Sequence, residues 1–345
     1  MKCTTYLKKY VKLLALLLLA SASNYVLAGP NTSEAIVQFT PHDRLFSVAF
    51  NGDFGEAVGE SGLVLQSTDG GKTWRHEVSP PTRNSLFSVA ISGSRSIAVG
   101  QQGLILIRDG RKKWRKIEPV TDQRLLRVSI NKSGLAVAVG AFGTLLRSID
   151  YGETWTELKP DWATLYENEN TSEFAAIRDE PTLYAVKVFD DGSIVISGEY
   201  GQINRSTDGG ITWTPVFRAT AAEEGSTPPT LFGMNFRADG IGYAAGQEGM
   251  IVASDDSGKS WRQMDSGSKA SLFDIASTQG GHVFAVGMRT CLVSADAGRT
   301  WQPLNALDVG LNWYSGLGHA AGLAGDSIIA VGHSGRVLKL VASAN

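Results

Sequence analysis

Cysteine is almost missing: Cys3 and Cys291 are the only two in 345 residues. Cys3 lies in a leader expected to be removed, so the mature chain keeps one thiol and no internal disulfide forms even in an oxidising compartment. Cys291, at the start of a third strand, reads as a small buried apolar residue rather than a nucleophile. The chain also has no G-x-x-x-x-G-K-[ST] loop, no H-E-x-x-H and no C-x-x-C-H, so phosphate-loop, zinc-hydrolase and covalent-haem chemistries lack their ligands. Of the five histidines, His42 and His333 are placed to approach each other, but two surface histidines do not make a metal centre. No long stretch shows helical period, and no charge block or Pro/Ser-rich linker divides the chain, which leaves an all-β class and one domain over residues 29–345.

What is present is repetition. The stretch S-T-D-G-G-K-T-W, Ser67 to Trp74, recurs at Ser148 to Trp155, Ser206 to Trp213, Ser254 to Trp261 and Ser294 to Trp301. A worn copy, I-R-D-G-R-K-K-W, runs from Ile107 to Trp114 and keeps Asp109, Gly110 and Trp114. An Asp in a tight turn accepts hydrogen bonds from N–H groups a few residues on, Gly supplies φ > 0, and Trp buries a large ring. The unit is a hairpin clasp. Its structural residues are Asp69, Trp74, Asp109, Trp114, Asp150, Trp155, Asp208, Trp213, Asp256, Trp261, Asp296 and Trp301. One carboxylate per turn, its oxygens already facing N–H donors, makes them structural rather than calcium ligands.

The first 28 residues carry Lys2, Lys8, Lys9 and Lys12, the apolar run Val11 to Ala20, and Val26-Leu27-Ala28 before Gly29. That is the layout of a secretory signal peptide, with a greasy run too short for a comfortable span. The rival reading is an uncleaved anchor. Cys3 precedes the run, so it is not the acylated Cys of a lipoprotein signal. Cleavage takes the formal charge from −2 to −6. The expected destination is the periplasm, and an exported acidic protein is a poor match for nucleic acid.

Longer units extend upstream of each clasp: Leu45 to Trp74, Leu86 to Trp114, Leu125 to Trp155, Leu183 to Trp213, Leu231 to Trp261, Leu272 to Trp301 and a truncated copy from Trp313 to Leu340. Each reads as four short strands, with a tight G-x-x-G turn between the second and third and the clasp before the fourth. Four-stranded meanders at this period predict a seven-bladed β-propeller. The last copy lacks its fourth strand, and Ala35 to Phe39 has no partner, so the N-terminal strand is expected to pair into the last blade and close the ring.

The clasp resembles that of Asp-box (BNR) repeat proteins. With the leader, the seven units and the frame G-x-x-G-x-x-x-x-S-x-D-x-G-x-T-W, the chain most resembles the photosystem II stability and assembly factor family, which has relatives in non-photosynthetic bacteria. The resemblance implies an exported, non-catalytic binding propeller that engages an extracytoplasmic part of a membrane protein complex, with no cofactor. The other branch with this repeat is the Asp-box glycosidases, which implies a carbohydrate substrate. A sialidase needs an arginine clamp, here Arg44, Arg83, Arg127 and Arg289, and a Tyr nucleophile, here Tyr314, but F-T-P-H-D-R-L-F-S (Phe39 to Ser47) stands where the F-R-I-P motif belongs. Asp274 and Glu199 are nameable carboxylates for a two-carboxylate glycosidase, but no spacing pairs them.

Function is expected opposite the clasps, on the G-x-x-G turns and blade-to-blade connections. The candidates for partner contact are Arg44, Arg83, Arg124, Arg127, Glu199, Tyr200, Gln247, Glu248 and Arg289, with Trp162 from the enlarged, acidic and aromatic connection Leu158 to Thr182. Arg127, Lys187 and Asp274 interrupt inner strands that elsewhere carry Ser, Ala or Gly, and are expected to pair with each other or with water. A basic run, Arg108, Arg111, Lys112, Lys113, Arg115 and Lys116, marks the worn clasp.

Overall fold

The computed structural model describes residues 32–37, 40–77, 81–166, 180–221, 226–304, 307–320, 323 and 326–342; the leader over residues 1–28 lies outside them. Seven antiparallel sheets of four strands form a propeller, as the repeats predict. The innermost strands are Leu45–Asn51, Leu86–Ser92, Leu125–Ile130, Leu183–Val188, Leu231–Phe236, Leu272–Ser277 and Tyr314–Gly318. Each packs on the next and the last packs on the first, which numbers the blades 1 to 7. Ser315 Oγ donates to the Phe46 carbonyl at 3.3 Å across that last joint.

The ring is closed by the chain ends. Thr32–Val37 pairs antiparallel with Val337–Val341 and supplies the fourth strand of blade 7. The strand expected over residues 35–39 therefore starts earlier, at Thr32, and residues 38 and 39 lie outside the described set. Pairing covers what is otherwise an open edge.

Each inner strand opens with a bulge. Leu45 opposes Gly59 and Ser47 opposes Val58, so Phe46 has no opposite number. The same shift occurs in the other six blades. It explains the Gly that ends every second strand. A Cβ on Gly59 would lie 1.9 Å from the Arg44 carbonyl, and the equivalent glycines meet the same obstacle. That carbonyl accepts from the Glu60 N–H at 2.9 Å. The next turn residue is left-handed in each blade: Ser61, Gln102, Phe142, Tyr200, Glu248, Arg289 and Ser334.

The core lies between sheets. Trp155 of blade 3 packs with Ile97 and Ile107 of blade 2, and Trp74 of blade 1 packs with Ile329 and Val331 of blade 7. The clasps hold those rings in place. In blade 1, Ser67 Oγ donates to Asp69 Oδ1 (2.9 Å) and accepts from the Gly71 N–H (2.8 Å), while Asp69 accepts the Thr73 N–H (2.9 Å) and hydroxyl (2.6 Å). Trp74 Nε1 then donates to the Gly71 carbonyl at 3.0 Å. The four other intact clasps repeat the Ser and Asp bonds, but among the described residues Trp261 Nε1 is buried with no hydrogen-bond partner.

The worn clasp is built differently. Ser67 pairs with Gly55 and Ser148 with Ala136, each four residues before the Gly that ends the second strand; in blade 2 the residue so placed is Arg108, opposite Ser96. Strand register thus puts Arg108, and not Ile107, in the place of the clasp Ser, and the turn is one residue shorter. Asp109 sits too early to receive the clasp bonds and pairs with Arg95 at 3.2 Å. Trp114 Nε1 turns to Glu77 Oε2 of blade 1 at 3.3 Å.

Candidate functional site

The register places two different surfaces at the two ends of the blades. G-x-x-G turns and blade connections share one end, and clasps share the other with the hairpins between first and second strands, as where the Gly70 N–H reaches the Asp53 carbonyl. The turn end presents a feature that strand pattern alone does not reveal. The bulged residues are Phe46, Phe87, Leu126, Tyr184, Phe232, Phe273 and Ser315, and all are half-buried.

Equivalent rings of successive blades touch. Phe46 and Phe87 centroids are 5.7 Å apart, Tyr184 and Phe232 5.1 Å, and Phe232 and Phe273 6.0 Å. Where blade 7 carries Ser315, Trp313 stacks on Phe46 at 6.2 Å instead. The rings make an aromatic collar of two arcs at the turn end of the inner strands, Trp313–Phe46–Phe87 and Tyr184–Phe232–Phe273, with Leu126 between them on one side. Its signal in the sequence was the aromatic at the second position of most inner strands, but only the bulge shows that these rings line up around the axis.

Below the collar, Arg127 of blade 3 reaches Asp274 of blade 6 at 3.4 Å. The two inner-strand charges pair as expected. Asp274 also accepts the N–H groups of Leu317 (2.9 Å) and Ile275 (3.1 Å). Burial pushes its carboxyl pKa up, opposed by the Arg127 charge and those two bonds. Gly233 makes the room, since a Cβ there would lie 2.7 Å from an Asp274 carboxylate oxygen. Lys187 does not join the pair. Its ammonium lies 5.7 Å from the Phe189 ring centre, and burial lowers its pKa.

The turn-face candidates divide into occupied and available groups. Glu199 Oε2 accepts the Thr182 N–H at 2.8 Å and Gln247 Oε1 the Thr230 N–H at 2.9 Å, as Gln101 does for Ser85, so both fasten connections. One guanidinium nitrogen of Arg44, Nη1, donates to both carboxylate oxygens of Glu60, each at 3.0 Å. Tyr200 packs against the blade 3–4 core, while Arg83, Arg124, Glu248 and Arg289 are exposed. Arg124 lies close enough to Tyr184 to oppose the rise in phenol pKa that burial and the Glu199 charge produce.

Trp162 is a correction. It is 7% exposed, in the short helix Trp162–Tyr166, and joins the core of blades 3 and 4. A Cβ on Gly143 would come within 2.6 Å of its Nε1, so the turn glycine leaves space for the ring. The rest of that insertion, residues 167–179, lies outside the described set.

The residues that a glycosidase would need are placed otherwise. Tyr314 is fully buried, its hydroxyl donates to Asp308 at 3.0 Å, and burial with that carboxylate raises its pKa well beyond the ordinary phenol range. Asp274 and Glu199 are engaged as described. Cys291 is buried, its thiol pushed up to about 12. His333 Nδ1 lies 2.8 Å from Ser334 Oγ, and among the described residues no three His, Cys, Asp or Glu side chains form a metal-ligating group.

The BNR/Asp-box repeat family matches residues 205–215, the blade 4 clasp. No curated protein matches the sequence. Among solved structures, YCF48 bound to a D1 peptide superposes with a TM-score of 0.65 at 20% identity, covering 93% of this chain and 99% of that one. YCF48 from Cyanidioschyzon merolae gives 0.67 at 20% identity, with 90% and 98% covered. A GH74 xyloglucanase from Xanthomonas campestris gives 0.66 at 14% identity over 89% of this chain but 53% of that one. At such identities the shared property is the fold. Five intact clasps, seven four-stranded blades and these likenesses make the chain a seven-bladed β-propeller that carries Asp-box (BNR) repeats and is similar in fold to YCF48.

Proposed function

We propose that this is an exported, non-catalytic binding propeller whose turn face takes an extracytoplasmic segment of a membrane protein complex. The observation that carries the reading is the aromatic collar set among exposed arginines, Arg83, Arg124 and Arg289. Aromatic and arginine side chains on a rigid frame are what dominate protein–protein contact energy. The likeness to a YCF48 that holds a D1 peptide supports a protein segment as the ligand. Export rests on the leader, and N-terminal sequencing of the mature protein beginning at Gly29 is its test.

The binding reading is tested by capture from detergent-solubilised envelope. Wild-type protein is expected to retain a membrane protein that Arg83→Ser/Arg124→Ser/Arg289→Ser loses. No membrane protein retained, or equal retention by the variant, overturns it. The xyloglucanase fold likeness favours a second reading, a glycoside hydrolase. Turnover of chromogenic sialosides or glucans by the purified mature protein, co-eluting with it through gel filtration, would establish that reading instead.

A further inference from the structure

The worn clasp of blade 2 has a chemistry of its own. Its shortened turn borders a cleft of about 300 Å³ at the clasp end, between blades 1 and 2. Among the described residues five cationic side chains line it, Arg75, Arg108, Arg111, Lys112 and Lys113, with Gln66 and His76, against one carboxylate, Glu77, and no apolar side chain does.

The floor is built rather than incidental. Arg108, in the clasp Ser position, is 3% exposed and pairs with fully buried Glu56 and with Glu77. Its guanidinium stacks 4.5 Å from the centre of the Trp114 ring. Burial lowers its pKa to about 10, so it stays charged at neutral pH. Glu56 and Glu77 are thereby committed to Arg108 and Trp114. The rim is different: Arg75, Arg111, Lys112 and Lys113 are exposed. Among the described residues Lys112 has one distant carboxylate, Asp109 at 3.8 Å, and Arg111 and Lys113 have no ion pair.

A chain of net charge −2 that gathers four exposed cations at one cleft creates a local positive field against its overall balance. Structure does not require it, since the five intact clasps do without such a run. The cleft lies at the lower end of the ~300–1,000 Å³ typical of small-ligand sites. The described lining is charged and polar throughout, so recognition there is by charge, which suits clustered oxyanion charge contacted by arginine forks and lysine ammoniums.

We propose that the Arg75/Arg111/Lys112/Lys113 cleft over Arg108 is an anion site for clustered phosphate groups, separate from the turn face. Clustered phosphate comes from a soluble oligophosphate, with several charges on one molecule, or from neighbouring singly charged phosphodiester headgroups of an anionic membrane. Two probes separate the sources: tripolyphosphate by titration calorimetry, and phosphatidylglycerol vesicles by co-sedimentation against phosphatidylcholine vesicles. Both use the mature full chain and Arg111→Ser/Lys112→Ser/Lys113→Ser, whose changes lie in an exposed turn, with circular dichroism melts to show an intact fold.

One-to-one tripolyphosphate binding that weakens about tenfold or more in the triple variant supports the site with a soluble ligand. Binding only to phosphatidylglycerol vesicles, lost in the variant, supports it with a headgroup. Binding to both, with both lost, supports the shared chemistry. No binding to either probe, unchanged binding by the variant, or equal binding of poly-aspartate overturns the proposal. Arg83→Ser/Arg289→Ser, on the opposite face, is expected to bind as wild type.

Discussion

Asp69 and Asp208 show what a single clasp residue does. The Thr hydroxyl four residues on, then the Thr N–H, hold each carboxyl at about 2, against an ordinary value of 3.8. A folded-state value below the unfolded one means that unfolding takes up protons as the pH falls. This stabilisation is fully present above about pH 4 and is lost as the pH drops through 2. Thermal melts are expected to fall steeply in midpoint as the pH drops below about 4; a midpoint that stays level from there to about pH 2 would refute a stabilising role for the clasp carboxylates.

Asp274 makes a second residue-level case. Ser47 Oγ accepts the Val89 N–H at 3.3 Å and Ser88 Oγ the Val128 N–H at 3.2 Å, so Asp274, which holds Leu317 N–H, stands in a position that Ser fills in blades 1 and 2. Asp274→Ala leaves that N–H buried and unpaired. It is expected to cost about 1–2 kcal/mol more than Asp274→Ser in urea unfolding. Equal midpoints for the two variants would mean that the stitch between blades contributes nothing.

At the scale of elements, stability comes from sheets leaning on sheets and from one joint. Trp155→Ala removes a ring, 7% exposed, from the sandwich between blades 2 and 3, with an expected loss of about 3–5 kcal/mol measured by urea unfolding. The joint is the strand Thr32–Val37. Deleting residues 32–37 from the mature protein uncovers the Val337–Val341 edge, so a lower melting temperature and self-association by analytical ultracentrifugation are expected. An unchanged monomer with an unchanged midpoint would show that the ring does not depend on its seam. The bulge is the other device at this scale, since one extra residue at the start of each inner strand forces a Gly opposite and, in five of the seven blades, turns an aromatic toward a neighbour.

The whole molecule offers two ends with different chemistry. The turn end combines aromatic rings with exposed arginines, and the clasp end carries the phosphate cleft at one side of the ring. The two sets of variants are expected to act separately: Arg83→Ser/Arg124→Ser/Arg289→Ser loses the membrane protein and keeps tripolyphosphate, and Arg111→Ser/Lys112→Ser/Lys113→Ser does the reverse. Either variant losing both ligands would join the two surfaces into one site. Both associations are expected to weaken as ionic strength rises from about 50 to 200 mM, because the exposed charges are screened within about 10 Å.

Sequence alone determined the blade count, the clasps and the strand that closes the ring, because these are encoded locally, in spacing and in the residue types that a turn demands. It also named Arg127 and Asp274 as misfits in inner strands. Tertiary structure decided what such residues meet: Arg127 and Asp274 lie 147 positions apart in the chain, and only the closed ring makes them a pair. The same holds for the collar, for Trp162, which a neighbouring blade buries, and for Arg108, whose place became clear from strand pairing and not from the motif. Local periodicity fixes the repeating unit, whereas contacts between units depend on the angle at which neighbouring sheets pack, and no short stretch of sequence carries that information.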